Sequence, residues 1–219
     1  MDSVKKISAN IAIYLKDKLN LEEEKYEVIE YGLHGFFNMI VSVLFIILFG
    51  SIFGTLWESV LISFAGAILR KSSGGAHASK ELNCIIIGVI VSLIPAIVFV
   101  NSDFNIINTI IFISLMFLVS TLLVYKLAPV DSANKPIKSE KKIKRLKKGS
   151  LITLGIYMTL VITNVLLSIK FNYKNLIIYS LCISFGALWQ SFTLTKLGHI
   201  VLNLLDSFFI KVLGSKEEI

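Results

Sequence analysis

The sequence predicts an all-α, polytopic membrane fold, and three observations carry the prediction. Of the 219 residues, 55% are hydrophobic and only 17% charged, against about 25% charged in ordinary soluble domains. Long stretches hold no Lys, Arg, Asp or Glu: Tyr31 to Trp57, Leu82 to Val100, Phe104 to Tyr125, Gly149 to Ile169 and Asn175 to Thr195. Runs of roughly 18 or more apolar residues can cross a hydrocarbon core of about 30 Å as helices. Positive charge, finally, is concentrated in one segment between spans, the mark of a cytoplasmic loop. A single membrane-embedded domain of 1–219 follows, with about six transmembrane helices.

Residues 1–30 read as an amphipathic segment lying on the membrane. Val4, Ile7, Ile11, Tyr14 and Leu15 share one helical face while Lys5, Lys6 and Lys16 lie largely off it, which suits an anionic inner leaflet. The segment lacks the basic, apolar and small-residue succession of a signal peptide and is expected to be retained.

Between Gly35 and Leu69 the number of crossings is ambiguous. Glu58 interrupts the stretch, and Ser59 to Leu69 is too short to span alone. Two short helices joined by a turn near Gly50 to Gly54 are one solution, and a single span followed by a re-entrant segment is the other. Charge decides between them. Residues 126–148 hold nine basic residues against Asp131 and Glu140, an excess of seven that equals the +7 of the whole chain. A basic loop of 126–149 is therefore cytoplasmic. Counting back through Phe104 to Tyr125, the turn Asn101 to Asp103, and Leu82 to Val100 puts Arg70 to Glu81 on the same side. The Lys-rich N-terminus belongs there too, so an even number of crossings separates it from Arg70, and two helices are expected.

The basic loop abuts spans on both sides and has no aromatic residue to stack on bases, so membrane topology and acidic lipid account for it better than nucleic acid does. No nucleic-acid partner is expected. The tail Gly198 to Gly214 has a mixed, interfacial pattern in which His199 and Asp206 show no evident partners, and neither is assigned a catalytic role.

Chemistry gathers in RKSSGGAHASKELNC, Arg70 to Cys84. Cys182 lies mid-span, where a free thiol acts as a small buried hydrophobe. Cys84 instead falls in the first turn of a span at the cytoplasmic rim, where a helix N-terminus and Lys80 favour a thiolate. A reducing cytoplasm argues against a disulfide between the two. Zinc would need three or four ligands, and the neighbourhood offers His77, Glu81 and Cys84 with no second Cys or paired His. No metal or other cofactor is expected.

A Cys84–His77 nucleophile and base pair fits the residue types, but on a continuous helix seven residues span about 10.5 Å, against about 3 Å for proton transfer. Gly74 and Gly75 permit φ > 0 and a turn before His77, with the helix that carries Cys84 starting near Ser79 or Lys80. The base and the helix N-terminus would then serve thiol and oxyanion. A third, orienting member stays open among Glu81, Asn83, Asp131 and Asn134. A non-catalytic transporter or peptide scaffold is the competing reading, although the polar residues collect at one rim rather than at the bilayer midplane.

The pattern R-x3-G-G-x-H-x6-C formed by Arg70, Gly74, Gly75, His77 and Cys84, together with APVDSANKPI at Ala128 to Ile137, resembles the accessory gene regulator B family of bacterial quorum-sensing membrane endopeptidases. Length, six-span layout and basic loop are similar as well. The resemblance implies a multi-pass protein of the bacterial cell membrane, with its N-terminus and active site facing the cytoplasm. It implies a thiol protease that removes the acidic tail of an amphipathic, AgrD-like propeptide, keeps the remainder as an acyl-enzyme thioester, and lets an internal thiol close a cyclic thiolactone. It makes Cys84 the nucleophile and His77 the base. Arg70, Gly74 and Gly75 match further motif positions, with substrate or loop positioning as their expected roles. Pro129, Lys135 and Pro136 match the second element. Lys80 and the basic loop are expected to attract the acidic tail. A homodimer is the assembly the resemblance suggests.

Overall fold

In the computed structural model, residues 2–76, 78–103, 105–131 and 139–214 are described; for residues 2, 3, 213 and 214 only the backbone is. Among them the chain forms eight α-helices. They are α1 (Asp2–Leu19), α2 (Glu23–Ile52), α3 (Leu56–Ser73), α4 (Glu81–Asn101), α5 (Ile106–Leu127), α6 (Glu140–Phe171), α7 (Lys174–Phe192) and α8 (Lys196–Gly214). Helices α2, α4, α5, α6 and α7 are each long and apolar enough to cross a membrane.

The missing sixth span is α3, and its composition follows from its position. With 18 residues it is about 27 Å long, close to the thickness of a hydrocarbon core. Glu58 lies in its first turn, Arg70 and Lys71 in its last. Such a helix would be poorly solvated by lipid on all sides, but α3 packs at the centre of the bundle. Its Ile62, Ala65 and Leu69 are buried in a core shared with Leu154, Tyr157, Leu181, Cys182 and Ala187 of α6 and α7. Small residues let α3 and α7 approach closely: a Cβ on Gly186 would lie 2.5 Å from the Ile62 carbonyl oxygen, the kind of contact that joins helices where lipid removes the hydrophobic drive. The Tyr157 hydroxyl donates to the Ala65 carbonyl at 2.8 Å and ties α6 to the same face. Cys182 is fully buried in this core.

Three local findings modify the sequence expectations. The turn between the first two spans does fall where expected, at residues 53–55, but α2 is one 30-residue helix that begins at Glu23. Residues 1–30 therefore comprise α1, a short link and the first turns of α2, with Lys16 and Glu23 paired across the link. The basic stretch drawn as loop is helical from Glu140 onward. Lys141 to Lys148 form the first turns of α6, because Glu, Lys, Leu and Arg are good helix formers and nothing in the run breaks a helix.

Since successive spans alternate in direction, the end of α3, the start of α4, the end of α5, the start of α6 and the end of α7 meet at one end of the bundle. Hydrogen bonds described below join these termini, and α8 folds against them.

Candidate functional site

The polar residues of Arg70 to Cys84 occupy the meeting point of these helix ends. Helix α3 stops at Ser73, where Gly74 takes φ +70° and Gly75 φ +125°, conformations closed to most side chains. Helix α4 begins at Glu81 with Lys80 as its N-cap. The chain is thus broken between Arg70 and Cys84, as the spacing required.

Two neighbours leave the glycines no room. A Cβ on Gly74 would lie 2.0 Å from the Val130 carbonyl oxygen, and one on Gly75 would lie 2.6 Å from Thr193 Oγ1. Val130 donates its N–H to the Ser73 carbonyl at 2.9 Å, forming an isolated parallel bridge with Gly74. The second sequence element, of which Pro129 is half-buried and adjacent, therefore straps the glycine turn directly. On the other side, Ala76 donates its N–H to the Thr193 carbonyl at 3.2 Å.

Gln190, buried near the end of α7, uses its whole amide on this loop. Its Nε2 donates to the Gly74 carbonyl at 2.7 Å and to Ser73 Oγ at 3.1 Å, while its Oε1 accepts from Arg70 Nη1 at 3.3 Å. Arg70 in turn donates to the Ala76 carbonyl and, at 3.5 Å, to the Gly75 carbonyl. Its guanidinium also interacts electrostatically with Cys84. Arg70 is thereby a loop-holding residue.

Cys84 is exposed in the first turn of α4 although Asn83 and Ile85 beside it are buried. An accessible thiol at a helix N-terminus has the surroundings of a reactive cysteine rather than of a packing one. Lys80 is exposed at the rim. His77, Asn134, Lys135 and Pro136 lie outside the described residues.

Among the residues open as orienting groups, Glu81 and Asn83 each have a partner on another helix. Glu81 pairs with His34 of α2, whose Nε2 also lies 3.2 Å from Asn38 Nδ2. Asn83 Nδ2 donates to Asp206 Oδ1 at 2.7 Å. Asp206 Oδ2 accepts from the Ser79 N–H at 3.0 Å and from Ser79 Oγ at 2.5 Å. Burial alone would push the Asp206 carboxyl up; the hydrogen bonds from Ser79, Asn83 and the Ser79 and Lys80 backbone outweigh it and hold the group below the usual carboxylate range.

Gln190 and Thr193 carry no signal in the sequence, and Asp206, expected to lack partners, is instead bonded to Ser79 and Asn83. Asp206 did leave a signal there: it is the one acid among Leu202, Leu205 and Phe209, which share a helical face. A carboxylate on an apolar face needs partners to be buried. Among the described residues no group of three or more His, Cys, Asp or Glu side chains could hold a metal ion.

A model of the accessory gene regulator B family matches residues 8–194, which include the glycine turn, its strap, Gln190 and Cys84. The chain belongs to that family. A protein of Clostridium perfringens (strain 13 / Type A), named for its likeness to AgrB, is 36% identical over 213 residues, covering 96% of this chain and all of the relative. Another so named, from Listeria welshimeri, is 30% identical over 191 residues, 85% of each chain. No solved structure matches. AgrB membership implies a part in quorum-sensing peptide processing with an AgrD-like propeptide, and the apolar helices make this AgrB-family chain a multi-pass membrane protein. Helix α8 begins at Lys196 and lies beyond the AgrB-matched residues.

Proposed function

We propose that the chain is a membrane cysteine endopeptidase that cleaves the C-terminal tail from an AgrD-like propeptide and promotes closure of a thiolactone ring. The observation that carries the reading is the exposed Cys84 thiol in the first turn of α4, after a glycine-made break in the helix. The Cys84 sulfur adds to the scissile carbonyl carbon. His77 takes the thiol proton and passes it to the leaving amine, and backbone N–H groups at the α4 N-terminus receive the oxyanion. The C–N bond breaks, the tail departs, and the rest of the peptide stays on Cys84 as a thioester. A thiol within the peptide then attacks the thioester carbonyl: one C–S bond forms as another breaks, Cys84 is regenerated, and no ATP is required. Excluding water from the acyl-enzyme protects it against hydrolysis, which a site at the membrane boundary favours.

The active site faces the cytoplasm on this reading, since Lys141 to Lys148 start α6 at the same end of the bundle and basic residues mark the inner side. Their field, with Lys80, attracts an acidic tail and anionic lipid.

The test is Cys84→Ser in cells that also express an AgrD-like propeptide with an amphipathic start, a central Cys and an acidic tail. Tail release is expected to fall at least about a thousandfold, the scale of removing a nucleophile. The hydroxylamine-sensitive adduct on the protein disappears with it. Tail release at the ordinary rate from the Ser variant would leave a transporter or a scaffold as the better reading.

A further inference from the structure

We infer that Asp206, on a helix beyond the family-matched residues, is a positioning residue that holds both ends of the interval between His77 and Cys84. The inference rests on the Cys84 and His77 reading above. The two carboxylate oxygens divide their work: Oδ2 holds Ser79, two residues after His77, and Oδ1 holds Asn83, the residue before Cys84. Asn83 Nδ2 adds a second bond, 3.3 Å long, to the Asp206 carbonyl. One side chain thus fixes the place where the loop becomes helix.

Helix α8 is built to deliver it. Gly198 lets the chain turn tightly after α7, since a Cβ there would lie 2.1 Å from the Phe192 carbonyl oxygen. Leu202 then packs with Ala76 and Ile87, and Leu205 and Phe209 pack around the same cluster with Ala78. The apolar stripe of α8 therefore covers the residues on either side of His77, with Asp206 set into the stripe, 7% exposed. Lys80, the N-cap of α4, makes no side-chain cap; Asp206 supplies from another helix the carboxylate that such an N-terminus favours.

Its charge separates positioning from activation. A carboxylate beside the start of α4 opposes a thiolate on Cys84 electrostatically. Removing that charge without disturbing geometry would therefore make Cys84 more reactive. Losing the grip on the loop would make it less reactive, because the interval that carries His77 would no longer be fixed relative to the start of α4. Among the described residues, Arg70, Lys80, Glu81 and His34 are other charged or titratable groups near the α4 start, and none of them is changed in either variant.

The experiment measures alkylation of Cys84 by iodoacetamide in a Cys182→Ala background, with the full chain in vesicles containing phosphatidylglycerol. The ratio of the rate at pH 6.5 to the rate at pH 9.5 reports ionisation of the thiol at low pH, while the rate at pH 9.5 reports access. Asp206→Asn keeps the side-chain volume but turns one of the two accepting oxygens into a donor, so it can no longer hold both Ser79 and Asn83; Ser79→Ala removes one partner and leaves α8 untouched. Both are expected to lower the ratio about tenfold with the pH 9.5 rate unchanged. An unchanged or higher ratio in either variant overturns the inference. If Asp206→Asn does not reach the membrane, Ser79→Ala decides alone. His77→Ala keeps the two readings distinct: it lowers the ratio if His77 is the base, and if it does not, the base assignment fails whatever Asp206 does.

Discussion

Gly74 is the residue on which the site turns. Its φ of +70° with ψ of −148° belongs to a region that is essentially glycine's alone. The Val130 carbonyl oxygen also stands 2.0 Å from where a Cβ would be. Gly74→Ala is therefore expected to cost at least ~3 kcal/mol through strain and overlap combined, and to abolish propeptide cleavage while α2 to α7 still insert. Gly32→Ala, at a position with nothing within 4 Å, leaves cleavage unchanged. Membrane yield and tail release of the two variants, measured side by side, check this. The glycine pair was legible in the sequence because its effect is local: paired glycines end a helix wherever they stand. Gln190 was not, because its amide acts on Ser73 and Gly74 across more than a hundred residues of chain. Within its own helix it reads as one more small polar interruption of an apolar run, like Ser180, Ser184 and Ser191. Glu81 illustrates the same limit, since only packing of α2 against α4 brings His34 to it.

At the scale of elements, α8 is joined to the start of α4 by a titratable tether. The Asp206 carboxyl is held below the usual carboxylate range by hydrogen bonds to its ionised form. A folded value below the unfolded one contributes stability above the unfolded value and loses it as pH falls through the folded one. The docking of α8 is accordingly intact at pH 7 and weakens below about pH 4. Hydrogen exchange of residues 196–214 in detergent-solubilised protein should rise from pH 7 to pH 3 beyond the intrinsic pH dependence of amide exchange. In Asp206→Asn the corrected exchange should already be raised at pH 7 and change little on acidification. If the corrected protection of α8 is the same at both pH values in the unsubstituted chain, the tether contributes nothing measurable. Helix existence was legible almost throughout, because hydropathy and the turn residues agree. Bounds were less so: α2 and α6 each extend past their apolar run into charged residues, Glu23 to Glu30 and Glu140 to Lys148, whose helix propensity continues what the membrane starts. Position relative to lipid sets where charge stops, but backbone propensity sets where the helix stops.

At the scale of the whole molecule, the number of crossings follows from α3. If α3 spans, Lys71 and Lys80 lie on the same side as the start of α6 with its basic run, and all six spans alternate. A re-entrant α3 would return to the side it left, putting Lys80 opposite the N-terminus. The structure favours a span for a physical reason: α3 runs its full 18 residues without a break. Its last turn meets the end of α7 through Arg70 and Gln190, and the start of α6 through Ser72 and Ser150 at 3.1 Å. Single cysteines placed in a Cys84→Ser, Cys182→Ala chain test the layout with an impermeant maleimide on intact cells. Phe53→Cys, Ser102→Cys and Asn172→Cys, at the turns after α2, α4 and α6, are expected to label from outside. Lys80→Cys and Ser139→Cys should label only after the cells are opened. Outside labelling at both Lys80 and Ser139, with protection at Ser102, would remove the α3 crossing and move Cys84 to the outer face, where a propeptide made in the cytoplasm could not meet it before export. The position of a single lysine thus decides whether tail cleavage precedes export or follows it.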